Sequence, residues 1–240
     1  MRSGKLSHRL TAVLEYIPDG SVFADIGSDH AYLPCYAVRS GKARAAIAGE
    51  VAEGPLHSAK KQVERQGLQE KISVRKGDGL EVISPAEVEC ITIAGMGGTL
   101  IKKILTEGRE KLRGVKRLIL QPNVNAECVR GWLLENGWQL VAEQILEEDG
   151  QIYEILVAEP GEPLEPYRGK NRDAALLLGP YLMEEKSEAF RKKWRNEVKR
   201  WKRILKHLQS ASDSPENRRK KAEFERKIQL VEEVLHDETS

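Results

Sequence analysis

The sequence predicts an α/β protein, a mostly parallel, doubly wound sheet that closes with an antiparallel hairpin and is followed by an α-helical coiled-coil domain. Three observations carry this. Short apolar runs alternate with helix-period segments through residues 1–160, the pattern of strand–helix–strand units around a parallel sheet. The last two strand-like segments, 138–146 and 151–158, flank the acidic turn 147–150, and so short a connection joins only antiparallel neighbours. From Arg168 onward strand-like alternation stops, and apolar residues recur every three or four positions.

The elements follow in order. Leu6, Leu10, Val13 and Leu14 share a helical face, with Ser3 or Ser7 as a start signal and Pro18-Asp19-Gly20 as the turn that ends it. Residues 21–26 form an almost wholly apolar run that stops at Gly27, as a buried parallel strand does. Further strands are expected at 43–49, 71–75, 88–94 and 115–120, with helices at 52–66, 100–105 and 126–136. Phe190, Trp194, Val198, Trp201, Leu205 and Leu208 advance by fours and threes as a coiled-coil seam does, and Phe224, Ile228, Val231 and Leu235 give a second seam. Turn residues in 210–216 fold the two helices back on each other. Two domains are therefore expected, 1–160 and 161–240.

With 40% hydrophobic and 32% charged residues, and no apolar run near the roughly 20 residues that span a bilayer, the chain carries no membrane segment. Its basic N-terminus is followed by Glu15 and Asp19 rather than by the apolar core of a signal peptide, so a cytoplasmic location is expected. Cys35, Cys90 and Cys128 are scattered and read as reduced core residues, and the five histidines show no zinc-site spacing, so no metal is expected. The net charge of +2 hides an asymmetry, because residues 186–227 carry 16 basic and 6 acidic side chains. Such a block steers a polyanion, of which nucleic acid is the usual cytoplasmic example, or else forms a solvated helix face.

Ligands of a doubly wound sheet sit beyond the carboxyl ends of its strands. There the first strand leads into Asp25-Ile-Gly27-Ser28-Asp29-His30-Ala31-Tyr32, a glycine turn before a helix N-terminus whose acidic residues suit a ligand carrying an ammonium group. The second ends at Gly49-Glu50, and Glu50, 25 residues after Asp25, is spaced to accept from both ribose hydroxyls of a nucleoside, or is a surface or capping glutamate. Asp78 between two glycines presents a carboxylate on a tight turn. The fourth strand ends in Ala94-Gly95-Met96-Gly97-Gly98, suited to close approach of backbone to a ligand, and the fifth in Gln121-Pro-Asn123, whose amides match a base edge.

This order of elements resembles a class I S-adenosylmethionine-dependent methyltransferase. More narrowly, Leu6-Ser-x-Arg9-Leu, Ala24-Asp-Ile-Gly-Ser-Asp-His-Ala-Tyr-Leu-Pro34, Ala48-Gly-Glu-Val51, Gly77-Asp-Gly-Leu80, Ile93-Ala-Gly-Met-Gly-Gly98 and Leu118-Ile-Leu-Gln-Pro-Asn123 resemble the bacterial tRNA adenine-22 N1-methyltransferase family over most of 1–160. The resemblance implies that the loop from Asp25 to Tyr32 holds the methionine part of S-adenosylmethionine. It assigns the ribose to Glu50 with Val51 beside it, and the adenine to Asp78, Gly79 and Leu80. It implies that Ala94, Gly95, Met96 and Gly97 form the wall where methyl donor and target base meet. The absence of an Asn/Asp-Pro-Pro-aromatic motif after the fourth strand fits methylation at N1 rather than at the exocyclic amine. Arg9 is a candidate for the cofactor carboxylate or an RNA phosphate, Asp29 for proton acceptor, and Asn123 for a second catalytic group. The expected partner is tRNA, held through Gln121 and Asn123 at the base and through Arg191, Lys192, Lys193, Arg195, Lys199, Arg200, Lys202 and Arg203 on the basic helix face; no obligate protein partner is evident. The alternatives are methylation of another RNA position, or a non-catalytic RNA- or protein-binding module.

Overall fold

The computed structural model describes residues 6–209 and 214–236. Strands β1 (Ser21–Ile26), β2 (Ala43–Glu50), β3 (Ile72–Lys76), β4 (Cys90–Met96), β5 (Arg117–Pro122), β6 (Trp138–Glu148) and β7 (Gln151–Pro160) form one sheet in the order β3-β2-β1-β4-β5-β7-β6. The first five strands run parallel, while β7 is antiparallel to both β5 and β6. The chain winds outward from β1 to β3 and then returns to β4, so the order reverses between β1 and β4 and a crevice opens at their carboxyl ends.

Helices α1 (His8–Tyr16), α2 (Tyr32–Arg39), α3 (Glu53–Arg65), α4 (Gly98–Glu107) and α5 (Ala126–Glu135) cover the sheet. One core layer joins Ile26, Ile93, Leu105, Leu118, Val129 and Leu133. The other joins Val13, Phe23, Ala37, Val63 and Ile119. The Ser7 hydroxyl accepts from the Leu10 amide and caps α1, while the start signal at Ser3 lies outside the described residues. Helix α2, whose N-terminus is expected after the first loop, begins at Tyr32 and contains Pro34. That proline sits in the first turn, where no backbone donor is needed.

The C-terminal part comprises α6 (Arg172–Leu178), α7 (Leu182–Glu185), α8 (Glu188–Gln209) and α9 (Pro215–His236). Of the expected seam, Phe190, Trp194, Val198, Trp201, Ile228 and Val231 are buried, Leu205, Phe224 and Leu235 are partly buried, and Leu208 lies outside the apolar cluster, while Val234 is buried in addition. Of the turn expected at 210–216, residues 210–213 lie outside the described residues, and Pro215 and Glu216 already belong to α9. The helix pair does not stand apart from the sheet, because its apolar cluster also contains Ile145 of β6 and Leu178 of α6 beside Phe190, Trp194, Trp201, Ile228 and Val231.

A buried ionic network strengthens this junction. Arg130 of α5 donates to Glu143 Oε1 at 2.7 Å and Glu154 Oε2 at 2.9 Å, and to the carbonyls of Leu176 and Leu177. The Tyr181 amide donates to Glu143, and Lys193 Nζ of α8 pairs with Glu154 at 2.5 Å. The expected boundary at 160/161 thus coincides with the end of β7 in the chain, but the packing crosses it. Among the described residues no helix is long and apolar enough to cross a membrane.

Candidate functional site

After β1 the backbone turns through Gly27 (φ +70°), and Asp29, His30 and Ala31 then occupy the left-handed region in succession at φ 39°, 66° and 54°. Each such non-glycine residue costs energy and persists only where its surroundings over-determine it. Here the amides of Gly27 and Ser28 donate to the Gly49 carbonyl, and the Asp29 amide donates to Glu50 Oε1. Beneath the loop, Asp25 accepts from the Ser28 hydroxyl at 2.7 Å and from the Thr92 hydroxyl at 2.6 Å. At Gly27 the positive φ disfavours any side chain, and a Cβ there would also displace the Met96 Cε methyl, which lies 2.1 Å from its position.

Asp25 and Glu50 are both buried. Burial pushes the Asp25 carboxyl above its ordinary value, against the opposing pull of the Thr92 and Ser28 hydroxyls and Arg9. Burial likewise raises Glu50, opposed by the Asp29 amide and reinforced by the charges of Asp25 and Asp29.

The facing wall is a closed polar network. Gln121 Oε1 accepts from Arg9 Nη1 and from the Gly95 amide at 3.0 Å, and Gln121 Nε2 donates to Asn123 Oδ1 at 3.1 Å. Asn123 Nδ2 donates to the Gly95 carbonyl at 2.8 Å, and its amide to the Met96 carbonyl at 2.7 Å. Gln121 is 0% exposed, which corrects its expected contact with a base. Its amide is hydrogen-bonded to Arg9, Gly95 and the exposed Asn123.

Arg9, Asp25, Gly27, Ser28, Asp29, Tyr32, Ala94, Gly95, Met96 and Asn123 line a cleft of about 480 Å³. Glu50, the 62% exposed Val51 and Asp78 continue along the same sheet edge, where Glu50 pairs in register with Lys76 of β3. Asp78 opens the turn Gly79–Val82 with its amide donating to Glu81. Leu80 and Ala31 are buried in the core. Gly97 caps α4, and His30 stacks on Tyr32 at 5.5 Å. Ser7, Glu148 and Tyr153 also line the cleft and were not anticipated. Glu148 caps the His8 and Arg9 amides, and the Arg9 guanidinium lies over the Tyr153 ring at 5.3 Å. No local signal marks them, since hairpin and helix meet only in the fold.

The basic residues of α8 divide among its faces. Lys192 pairs with Glu147 and Lys202 with Glu232, while Lys193 is held by Glu154 and lies over the Trp194 ring at 4.9 Å. Lys193, 25% exposed, is therefore tied to the junction while it also lines the groove beside α8. Arg195, Lys199, Arg200 and Arg203 are exposed, and Arg191 is half-buried. Among the described residues no group of three or more His, Cys, Asp or Glu is arranged to hold a metal ion.

Comparison with known proteins adds the following. The family model described as tRNA (adenine(22)-N(1))-methyltransferase matches residues 23–233. A curated tRNA (adenine(22)-N(1))-methyltransferase of Bacillus subtilis (strain 168) is 52% identical over 235 residues, covering 98% of this chain and 99% of the other. The crystal structure of the B. subtilis m1A22 tRNA methyltransferase aligns with a TM-score of 0.92, covering 96% of this chain and 98% of that one. A putative tRNA (m1A22) methyltransferase of Streptococcus pneumoniae in complex with S-adenosyl-L-methionine aligns at 0.85 with 44% identity, covering 97% and 100%.

Proposed function

The chain belongs to the tRNA (adenine(22)-N(1))-methyltransferase family, and we infer from that membership and the geometry of the cleft that it transfers a methyl group from S-adenosylmethionine to N1 of adenine 22 in tRNA. The observation that carries the reading is the convergence of the Asp25–Tyr32 loop, Glu50 and the Gly95–Asn123 network on one edge of the sheet. The cleft falls within the roughly 300–1,000 Å³ of small-molecule sites. Two buried carboxylates with raised pKa values beside it are compensated by a cationic, hydroxyl-bearing ligand. The residues present therefore fit the methyl donor.

Bound there, the donor would supply an electrophilic methyl on a sulfonium, open to in-line attack by adenine N1 that forms the N–C bond as the S–C bond breaks and S-adenosylhomocysteine leaves. The negative charge of Asp25 and Asp29 favours the donor's cationic groups. Arg9 meets its carboxylate with the donors left after its bond to Gln121. Glu50 accepts from the ribose hydroxyls, while Val51, Asp78 and the Gly79 and Leu80 backbone border its adenine. Asn123 has one amide hydrogen committed to Gly95 and one Oδ1 lone pair committed to Gln121. Its second lone pair accepts from the exocyclic amine of the target base and so presents N1 to the methyl. Asp29, 82% exposed at the cleft, accepts the proton that leaves after transfer. Basic side chains of α8 grip tRNA phosphates without reading sequence, and the site of action is the cytoplasm.

The test is nucleoside mapping by mass spectrometry after incubating the protein with S-adenosylmethionine and unmodified tRNA carrying adenine or guanine at position 22. One N1-methyladenine at position 22, and none on the guanine variant, is expected. Methylation at another position overturns the target, and none despite proven cofactor binding overturns the activity.

Cofactor binding is also expected to depend on pH in a defined direction. The ligand favours ionised Asp25 and Glu50, so binding strengthens as pH rises through their pKa values in the free protein. Because burial raises both, calorimetric affinity should fall on acidification with a midpoint above 4.5, the ordinary glutamate value. A midpoint at or below 4.5 would remove Glu50 from the binding equilibrium.

A further inference from the structure

Two further hollows connect with the cofactor cleft. A groove of about 510 Å³ runs between the β5–α5 connection, the β6–β7 turn and α8, and Asn123 lines both groove and cleft. A hollow of about 570 Å³ on the surface of α8 shares Asn196, Glu197 and Arg200 with that groove and continues past Arg203 to His207. On α8 the positions 193, 196, 200, 203 and 207 advance by threes and fours, so they lie along one helical face. That face extends roughly 21 Å along the helix axis.

The chemistry along this track changes with distance from the cleft. Near Asn123 the lining offers the amides of Asn125 and Gln151 and the 66% exposed side chain of Val124, beside the carboxylates of Glu127 and Glu154, which pair with Lys227 and Lys193. Trp194 forms part of the wall, buried, with its Nε1 lacking a hydrogen-bond partner among the described residues. Farther out come the exposed guanidinium groups of Arg200 and Arg203. Neutral amides and an apolar platform suit unstacked bases, and exposed guanidinium groups suit phosphates. Arg195, Lys199 and Lys202 are absent from the lining of the groove and of the surface hollow that extends it.

We propose that this single face of α8, with the interdomain groove that joins it to Asn123, is the path of the RNA strand flanking the target adenine. Bases next to the target pack on Val124, and their phosphates meet Arg200 and Arg203. The other basic faces of α8 lie off the path. The proposal rests on the tRNA methyltransferase reading of the cleft and assigns the route that substrate takes.

The experiment compares two full-length variants with equal loss of charge, Arg200→Gln with Arg203→Gln on the path and Arg195→Gln with Lys199→Gln off it. Equal charge loss matches their long-range steering. Unmodified tRNA binding is measured across a salt series and S-adenosylmethionine binding by calorimetry. The on-path variant is expected to bind tRNA at least about tenfold more weakly, with the slope of log K against log salt reduced by about 1.4, and to bind the cofactor as wild type does. The off-path variant should stay within about threefold of wild type by the same measure. A third variant, Val124→Glu at an exposed position, should lower kcat/KM for tRNA while sparing cofactor affinity. Equal losses in the two double variants, a larger loss off the path, or unchanged tRNA binding on it overturns the route and leaves the activity standing. Failure of the wild-type protein to methylate tRNA would strike the underlying reading instead.

Discussion

Replacing Arg130 by methionine is expected to destabilise the protein by about 3–5 kcal/mol, because it leaves carboxylates buried without their partner. Arg130 is 0% exposed and ties α5 to β6, β7 and α6 in one network. Burial acts against its charge, but Glu143 and Glu154 more than offset that and hold it firmly protonated. The two glutamates are not equivalent. Burial pushes Glu143 up despite Arg130, whereas Glu154 is equally buried but has both Lys193 and Arg130, and is held below its ordinary value. Glu143 therefore loses its strongest cation in the variant, while Glu154 keeps Lys193. For a chain of this size each kcal/mol moves the melting temperature by roughly 2–4 °C, so thermal unfolding should come about 6–20 °C lower. Adding Glu143→Gln should recover part of the loss, since the uncompensated charge is its main source. A midpoint within about 1 kcal/mol of wild type would mean that the network holds nothing together. The same geometry forecasts that a chain cut after residue 160 folds poorly, because it would lose the Leu176 and Leu177 carbonyls, the Tyr181 amide and Lys193 from this network at once.

The second large effect is expected on binding. Glu50→Gln should weaken S-adenosylmethionine by about 30- to 1,000-fold, as the loss of charge-assisted hydrogen bonds to ribose costs about 2–4 kcal/mol. Stability of the free protein should hold or rise. Glutamine keeps an oxygen for the Asp29 amide, and burial already disfavours the ionised glutamate. The sign follows from linkage, because a carboxyl whose folded pKa lies above its unfolded value costs stability once pH exceeds the unfolded value. Calorimetry with cofactor and thermal unfolding without it, on one variant, separate the two effects. Full affinity in Glu50→Gln would place the ribose elsewhere, and collapse of the free protein would make Glu50 a structural residue first.

The residues proposed to hold the cofactor were legible as a group because their signals are local. A strand ending in Asp25-x-Gly27, an acidic residue at the end of the next strand, and glycines at Gly95 and Gly97 are read along the chain, and the sheet places them on one edge. Gln121 shows the limit of such reading. Its position after β5 suggested a base contact, but whether an amide at a strand end faces solvent or turns under its neighbour depends on which atoms complete its hydrogen bonds, and those come from Arg9 and Gly95. Helical periodicity likewise places Lys193 in a basic stripe but does not reveal the acidic residue, Glu154, that lies across from it.

What the sequence by itself determined is therefore the order and type of the elements, the parallel sheet with its antiparallel end, and the residues at the strand termini, because period, turn chemistry and spacing are properties of neighbouring residues. The tertiary structure alone decided that Glu148 and Tyr153 complete the cleft, that Arg130 binds the two halves into one packed unit, and that a groove lined by one face of α8 adjoins the cleft at Asn123. Each of these depends on side chains separated by tens of residues or more meeting where burial removes water and makes an unpaired charge costly, and no local pattern encodes that meeting.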